Sequence, residues 1–194
     1  MRPLPPSRAT SLLLAESNRQ MRSAIRSMLL DQKLSNIAEA SDSKSFMDTV
    51  STMPFHVILL DSAIANLDAI AVTHLIRSGR LGINRNAAII LLAHKSDMPY
   101  VFEAREAGVT DFIAKPFSSA ALITRLLSVL EKPQQFIATP TYIGPCRRSG
   151  RASLDLPALR QRAEDKAGDE TGPFTAIPRA EELLILPRNP TKWG

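Results

Sequence analysis

The chain alternates short apolar runs with longer stretches in which apolar residues recur every three or four positions. Leu12-Leu13-Leu14-Ala15 is continuously apolar, the pattern of a short strand covered on both faces. Met21, Ile25, Met28 and Leu29 then fall on one face of a helix. Ile37-Ala38-Glu39-Ala40 reads as a weak strand, and Ser43 as the cap of a helix carrying Phe46 and Val50. Val57-Ile58-Leu59-Leu60 is a buried strand that ends at Asp61. A helix from Asp68 to Arg77 turns Ala71, Leu75 and Ile76 inward. Ala87 to Ala93 is a fourth strand, and Pro99 to Ala107 a helix that Gly108 stops. Phe112-Ile113-Ala114 is the fifth strand. Ser118 caps a last helix that buries Leu122, Leu126, Val129 and Leu130.

Strands and helices in strict alternation predict a parallel sheet, right-handed crossovers and helices on both faces. In open sheets of this kind the working crevice lies beyond the carboxyl ends of the strands. The residues just after each strand are therefore the ones to read for chemistry.

The periodicity stops near Lys132, where composition also changes. Residues 11–132 hold only Pro54, Pro99 and Pro116, whereas residues 133–194 hold eight prolines among Gly, Arg and scattered acids. This predicts a flexible leader over 1–10, one folded domain over 11–132, and a mostly disordered tail over 133–194. The full 194 residues suit one domain plus extensions. A single cysteine, Cys146, excludes an intrachain disulfide framework and a zinc ribbon. No apolar window approaches a membrane span, and the apolar run near the start is short for a secretory signal. The expectation is a cytoplasmic protein without a membrane partner. A net charge of +5 is modest, and Arg147, Arg148 and Arg151 lack an aromatic platform, so nucleic acid is not the expected partner.

At the strand ends the sequence places Glu16 and Ser17, then Asp61, then Leu92 and Ala93, then Lys115-Pro116. Two acids and a lysine on one rim suit phosphoryl transfer to a carboxylate. Glu16 and Asp61 can hold a hard divalent cation, Asp61 can act as nucleophile, and Lys115 can meet a phosphoryl oxygen as a point charge. The plainer alternatives are an Asp61 that caps a turn, a solvated Glu16 and a surface Lys115. Glu16-Ser17-Asn18-Arg19-Gln20 is no glycine-rich loop, which argues against a mononucleotide or flavin site. His56, His74 and His94 show no ligand spacing, and no Ser-His-Asp set is placed to act.

SLLLAESNRQMRSAIRSML, HVILLDSAIANLDAI and AGVTDFIAKPF resemble the receiver domain of two-component response regulators over about residues 11–131. The resemblance implies a flavodoxin-like, five-stranded parallel sheet of order 2-1-3-4-5. It implies Asp61 as phosphoacceptor and Lys115 as the phosphoryl contact, with a cis bond to Pro116. It implies Mg2+ held by Glu16, Asp61 and the Ala63 backbone carbonyl, and Phe112 as an aromatic switch. Three positions depart from the family. Ser17 replaces the second acid of the pair and brings a hydroxyl without charge. Leu92 stands where a Thr or Ser would hydrogen-bond the phosphoryl group, a loss on the order of 1.5–3 kcal/mol. Ala65-Asn66 replaces a common Pro-Gly.

The expected function is a single-domain response regulator with no catalytic output. It would take a phosphoryl group on Asp61 from a histidine kinase or phosphotransfer protein. It would then signal to a downstream protein through its last two strands and helices or its tail. The rival expectation is a pseudo-receiver, an interaction module independent of phosphorylation. In the tail, Thr141 to Arg148 loosely resembles a Gly-Pro-x-Arg-Arg motif found after some receivers. Asp155-Leu156-Pro157 could open a short helix toward Ala167, and Ala180 to Leu186 is a brief apolar patch.

Overall fold

The first and third predicted strands, β1 (Leu12–Ala15) and β3 (Val57–Asp61), are buried at every position, as continuous apolar runs require. The computed structural model describes residues 10–94, 98–139 and 142–146. The other strands of the main sheet are β2 (Ile37–Ala40), β4 (Ala88–Ala93) and β5 (Asp111–Ala114). All pairings within it are parallel and the order is β2-β1-β3-β4-β5, the flavodoxin-like topology. The helices are α1 (Arg19–Asp31), α2 (Ser43–Thr52), α3 (Ala69–Arg77), α4 (Met98–Glu106) and α5 (Ser119–Glu131).

Because side chains alternate along a strand, the sheet divides the interior into two cores. Leu12, Leu14, Leu59, Ile90, Leu92 and Ile113 pack with Ile25 and Leu29 of α1 and Leu122 and Leu126 of α5. Leu13, Leu60, Leu91 and Ala93 face the other way, against Phe46 and Val50 of α2 and Leu75 and Ile76 of α3. Each fully buried aliphatic chain contributes about 1.5–3 kcal/mol relative to exposure. The two layers together fix the register that brings the strand ends level.

Helix starts follow their caps. Asn18, Asp68 and Ser118 accept backbone N–H groups of the first turns of α1, α3 and α5. The start of α2 differs from expectation. Asp42 is its cap and Ser43 its first residue, with Ser45 closing a reciprocal capping box. The carboxylate accepts from the Ser45 amide at 2.8 Å, which leaves Ser43 no cap role. Ala71 is only half-buried, whereas Leu75 and Ile76 are buried as expected.

Past Lys132 the described chain does not end at the expected boundary. β6 (Phe136–Ala138) and β7 (Ile143–Pro145) pair antiparallel as a hairpin. It closes over Arg77 at the end of α3. That guanidinium is fully buried and donates to the carbonyls of Gly108, Arg85 and Ala87, each at 2.8 Å, and to the Thr110 hydroxyl at 3.3 Å. The Phe136 ring lies 4.8 Å from its central carbon. Burial pushes the Arg77 pKa down to about 9, and Tyr142 opposes the shift. The expected leader lies outside the described residues except for Thr10. The three tail arginines, the 155–167 segment and the 180–186 patch lie outside them altogether.

Candidate functional site

Each of the three rim residues is delivered by a strand. Glu16 directly follows β1, Asp61 ends β3, and Lys115 directly follows β5. The sheet brings them together. Lys115 Nζ donates to Glu16 Oε2 at 2.6 Å and to Asp61 Oδ1 at 2.9 Å. All three side chains are buried, at 4% exposure or less. The plainer readings therefore fail: Asp61 caps no turn with its carboxylate, Glu16 is not solvated, and Lys115 is no surface residue.

Local structure holds the trio. Glu16 Oε1 accepts from the Asn18 amide at 2.9 Å, while the Asn18 side chain caps α1 by accepting from Met21 at 3.0 Å. Arg22 donates to the Glu16 carbonyl at 2.8 Å, so the first turn of α1 grips the residue that ends β1's run. The Lys115 amide donates to Ala93 at 2.8 Å, and the Lys115–Pro116 bond is cis, as expected. The Ser62 amide donates to the Leu92 carbonyl at 2.8 Å and extends the β3–β4 pairing past Asp61.

The switch positions are arranged differently from expectation. Leu92 pairs with Asp61 across the ladder but is wholly buried in the core shared by α1 and α5. Phe112 packs against the opposite core, which contains Leu91 and Ala93. The two expected switch residues thus lie on opposite faces of the sheet, because they differ in strand parity. On Phe112's own face, β4 ends in Ala93, which also lacks a hydroxyl.

Phe112 instead meets Tyr100 of α4 edge-on, with ring centroids 6.4 Å apart. The Tyr100 phenol pKa is raised, chiefly by burial. A hydrogen bond with the Ser62 side chain opposes this, and the carboxylates of Asp68, Glu103 and Asp61 add to it. Sequence reasoning missed Tyr100, Asn18 and Arg22. An Asn directly before the α1 apolar series was a legible cap signal; nothing in sequence marked Tyr100.

The donor set fits a hard cation only in part. Glu16 and Asp61 are carboxylates on one rim, but a shared ammonium reduces their combined charge to a single negative unit. Ser17 is exposed and adds none, and Ala63 follows Asp61 closely enough to offer its carbonyl. Among the described residues no three His, Cys, Asp or Glu side chains cluster as a metal site. No helix among them is long and apolar enough to cross a membrane.

The family model that matches this chain, the response regulator receiver domain, covers residues 12–127. The chain belongs to that family, a signalling module of two-component systems. Among its relatives is the transcriptional regulatory protein SrrA of Staphylococcus aureus, 25% identical over 189 residues, or 95% of this chain and 73% of SrrA. The receiver domain of the sensor histidine kinase PA1611 from Pseudomonas aeruginosa, with magnesium in its active site cleft, is 27% identical. That match has a TM-score of 0.53 and covers 61% of this chain and 94% of that domain. The response regulator DrrB of Thermotoga maritima shares the fold at a TM-score of 0.57 and 22% identity, over 66% of this chain. The match spans 56% of DrrB's length.

Proposed function

We propose that this chain is a single-domain response regulator that accepts a phosphoryl group on Asp61 and signals by protein–protein contact. The observation that carries the reading is the buried contact of Lys115 with both Asp61 and Glu16 at the strand ends. A carboxylate oxygen of Asp61 attacks the donor phosphorus. The phosphorus–nitrogen bond of a kinase or phosphotransfer phosphohistidine breaks, and the imidazole leaves with the bonding electron pair. Lys115 keeps its contact to Glu16 and turns its charge toward the incoming phosphoryl oxygens, compensating negative charge where it develops. When bound, Mg2+ supplies Lewis-acid polarisation of those oxygens, and Asp61, Glu16 and the Ala63 carbonyl would hold it. Ser17 contributes a hydroxyl at most. Phe112, backed by Tyr100, then transmits the change to the β4–α4–β5–α5 face, where a downstream protein partner binds. On this reading the chain receives phosphate and is not an enzyme acting on a released product.

A second reading rests on three residues: the exposed Ser17, and Leu92 and Ala93, which give the end of β4 no hydroxyl. On this reading the chain is a pseudo-receiver whose interactions ignore phosphate. Intact-mass measurement after incubation with acetyl phosphate, with and without Mg2+, separates the two. The first reading expects a Mg2+-dependent phosphoryl adduct that Asp61→Asn abolishes. Absence of an adduct from acetyl phosphate and from a panel of phosphorylated histidine kinases would support the pseudo-receiver.

A further inference from the structure

At the pole opposite Asp61, where the strands begin, a groove of about 640 Å³ opens between the end of α5, the hairpin and the loops entering β3 and β4. Its apolar wall is formed by Phe55, Ile83, Ala87, Val129, Leu130 and Phe136. Ile83 is 67% exposed, more than any other large apolar side chain among the described residues. A branched aliphatic side chain left open beside two phenylalanines is surface that gains free energy when covered.

We propose that this groove is a docking site for residues 183–186 of the same chain. Leu183-Leu184-Ile185-Leu186 is the one run of four large aliphatic residues that the sequence carries after the hairpin. The described chain ends at the groove itself. The Cys146 amide donates to the Gln135 carbonyl at 2.6 Å, and Gln134 and Phe136 on either side of that residue line the groove. The chain therefore leaves from the groove's rim, and the 37 residues from there to Leu183 can span ~3.3 Å each, far more than a return requires. Tethering sets an effective concentration in roughly the millimolar range, so even a weak apolar contact is populated.

Charge agrees with this occupant. Glu181-Glu182 precede the aliphatic run, and Pro187-Arg188 follow it. The exposed charges adjoining the groove are Arg85, between the lining residues Asn84 and Asn86, and Lys132 and Glu131, next to the lining residue Pro133. Two cations meet the two glutamates, and Glu131 is left for Arg188.

Hydrogen–deuterium exchange on the full chain, read by mass spectrometry, tests the proposal. Peptides covering 181–187 are expected to exchange about tenfold more slowly in the native chain than in Ile83→Asp, as a tethered weak contact implies. The protection is expected to be the same at every protein concentration. Ile83 is exposed, so its substitution leaves the packed cores untouched. The reciprocal double variant Leu184→Asp/Ile185→Asp is expected to speed exchange in peptides covering 81–88. Unprotected 181–187 amides, or protection that survives Ile83→Asp, would overturn the proposal. Protection that grows with protein concentration would assign the groove to a second copy and overturn it equally.

Discussion

At the scale of single residues the site is a balance among three buried charges. Removing Lys115 leaves two carboxylates facing each other with their countercharge gone, and breaking a buried pair in this way costs about 3–5 kcal/mol. Lys115→Met is expected to lose about 3 kcal/mol in urea unfolding at neutral pH. In an Asp61→Asn background the deficit should shrink, because one of the two facing charges is already gone; an equal deficit there would mean the loss is packing rather than charge. Tyr100 gives a second test. Its pKa is raised, first by burial, so the folded state holds the phenol proton more tightly than the unfolded state does. The sign follows: this stabilisation is complete below the ordinary phenol value of 10.0 and is lost as pH rises through the folded value. In an absorbance titration, one of the two tyrosines should ionise above the ordinary range, and Tyr100→Phe should remove that step. Because Asp61 contributes to the raise, a phosphoryl group there should move the Tyr100 step further up.

At the scale of elements, the five alternating strands and helices were legible because each buried face leaves a periodicity of two or of three to four. The rim residues were legible because the fold class directs attention to strand ends. What the sequence left unread has physical causes. The two buried faces of a strand differ by one residue, so Leu92 and Ala93 exchange roles with a single slip in the assumed parity. Asp42 and Ser43 are both good cap residues, and only the capping box with Ser45 decides between them. The hairpin has strands too short for any periodicity, and its stability comes from tertiary contacts with Arg77. Those contacts make it part of the fold. Gly108 sits at φ +94°, and a Cβ there would lie 2.8 Å from the Ile143 carbonyl of β7. Gly108→Ala is expected to cost about 1–3 kcal/mol, through backbone strain and a displaced hairpin. Truncation after Lys132 uncovers the buried guanidinium and removes the Phe136 contact, for an expected loss on the order of 2 kcal/mol. Chemical denaturation checks both. An unchanged midpoint after truncation would mean the hairpin rests on the domain without supporting it.

At the scale of the whole molecule, site charge sets how far a ligand at the rim can stabilise the fold. Glu16, Asp61 and Lys115 sum to one negative charge, against two where the position of Ser17 carries an acid. A ligand that binds only the folded state raises stability by RT ln(1 + [L]/Kd), so Mg2+ affinity can be read from unfolding of the entire domain. Two opposite unit charges at 4 Å attract by about 4 kcal/mol at an effective dielectric of 20, and exposure at Ser17 reduces this by screening. A gain of about 1.5–3 kcal/mol is then expected for Ser17→Asp, which corresponds to roughly a ten- to hundredfold tighter Mg2+ site. The same substitution sets a third carboxylate beside the two buried acids when metal is absent, so the variant should be less stable than the native chain in chelator. It should overtake the native chain as Mg2+ is added, and the two denaturation midpoints should cross. Parallel Mg2+ responses without a crossing would show that the cation does not sense the position of Ser17. The depletion of the rim would then have to be sought at Leu92 and Ala93, where the missing group is a hydroxyl rather than a charge.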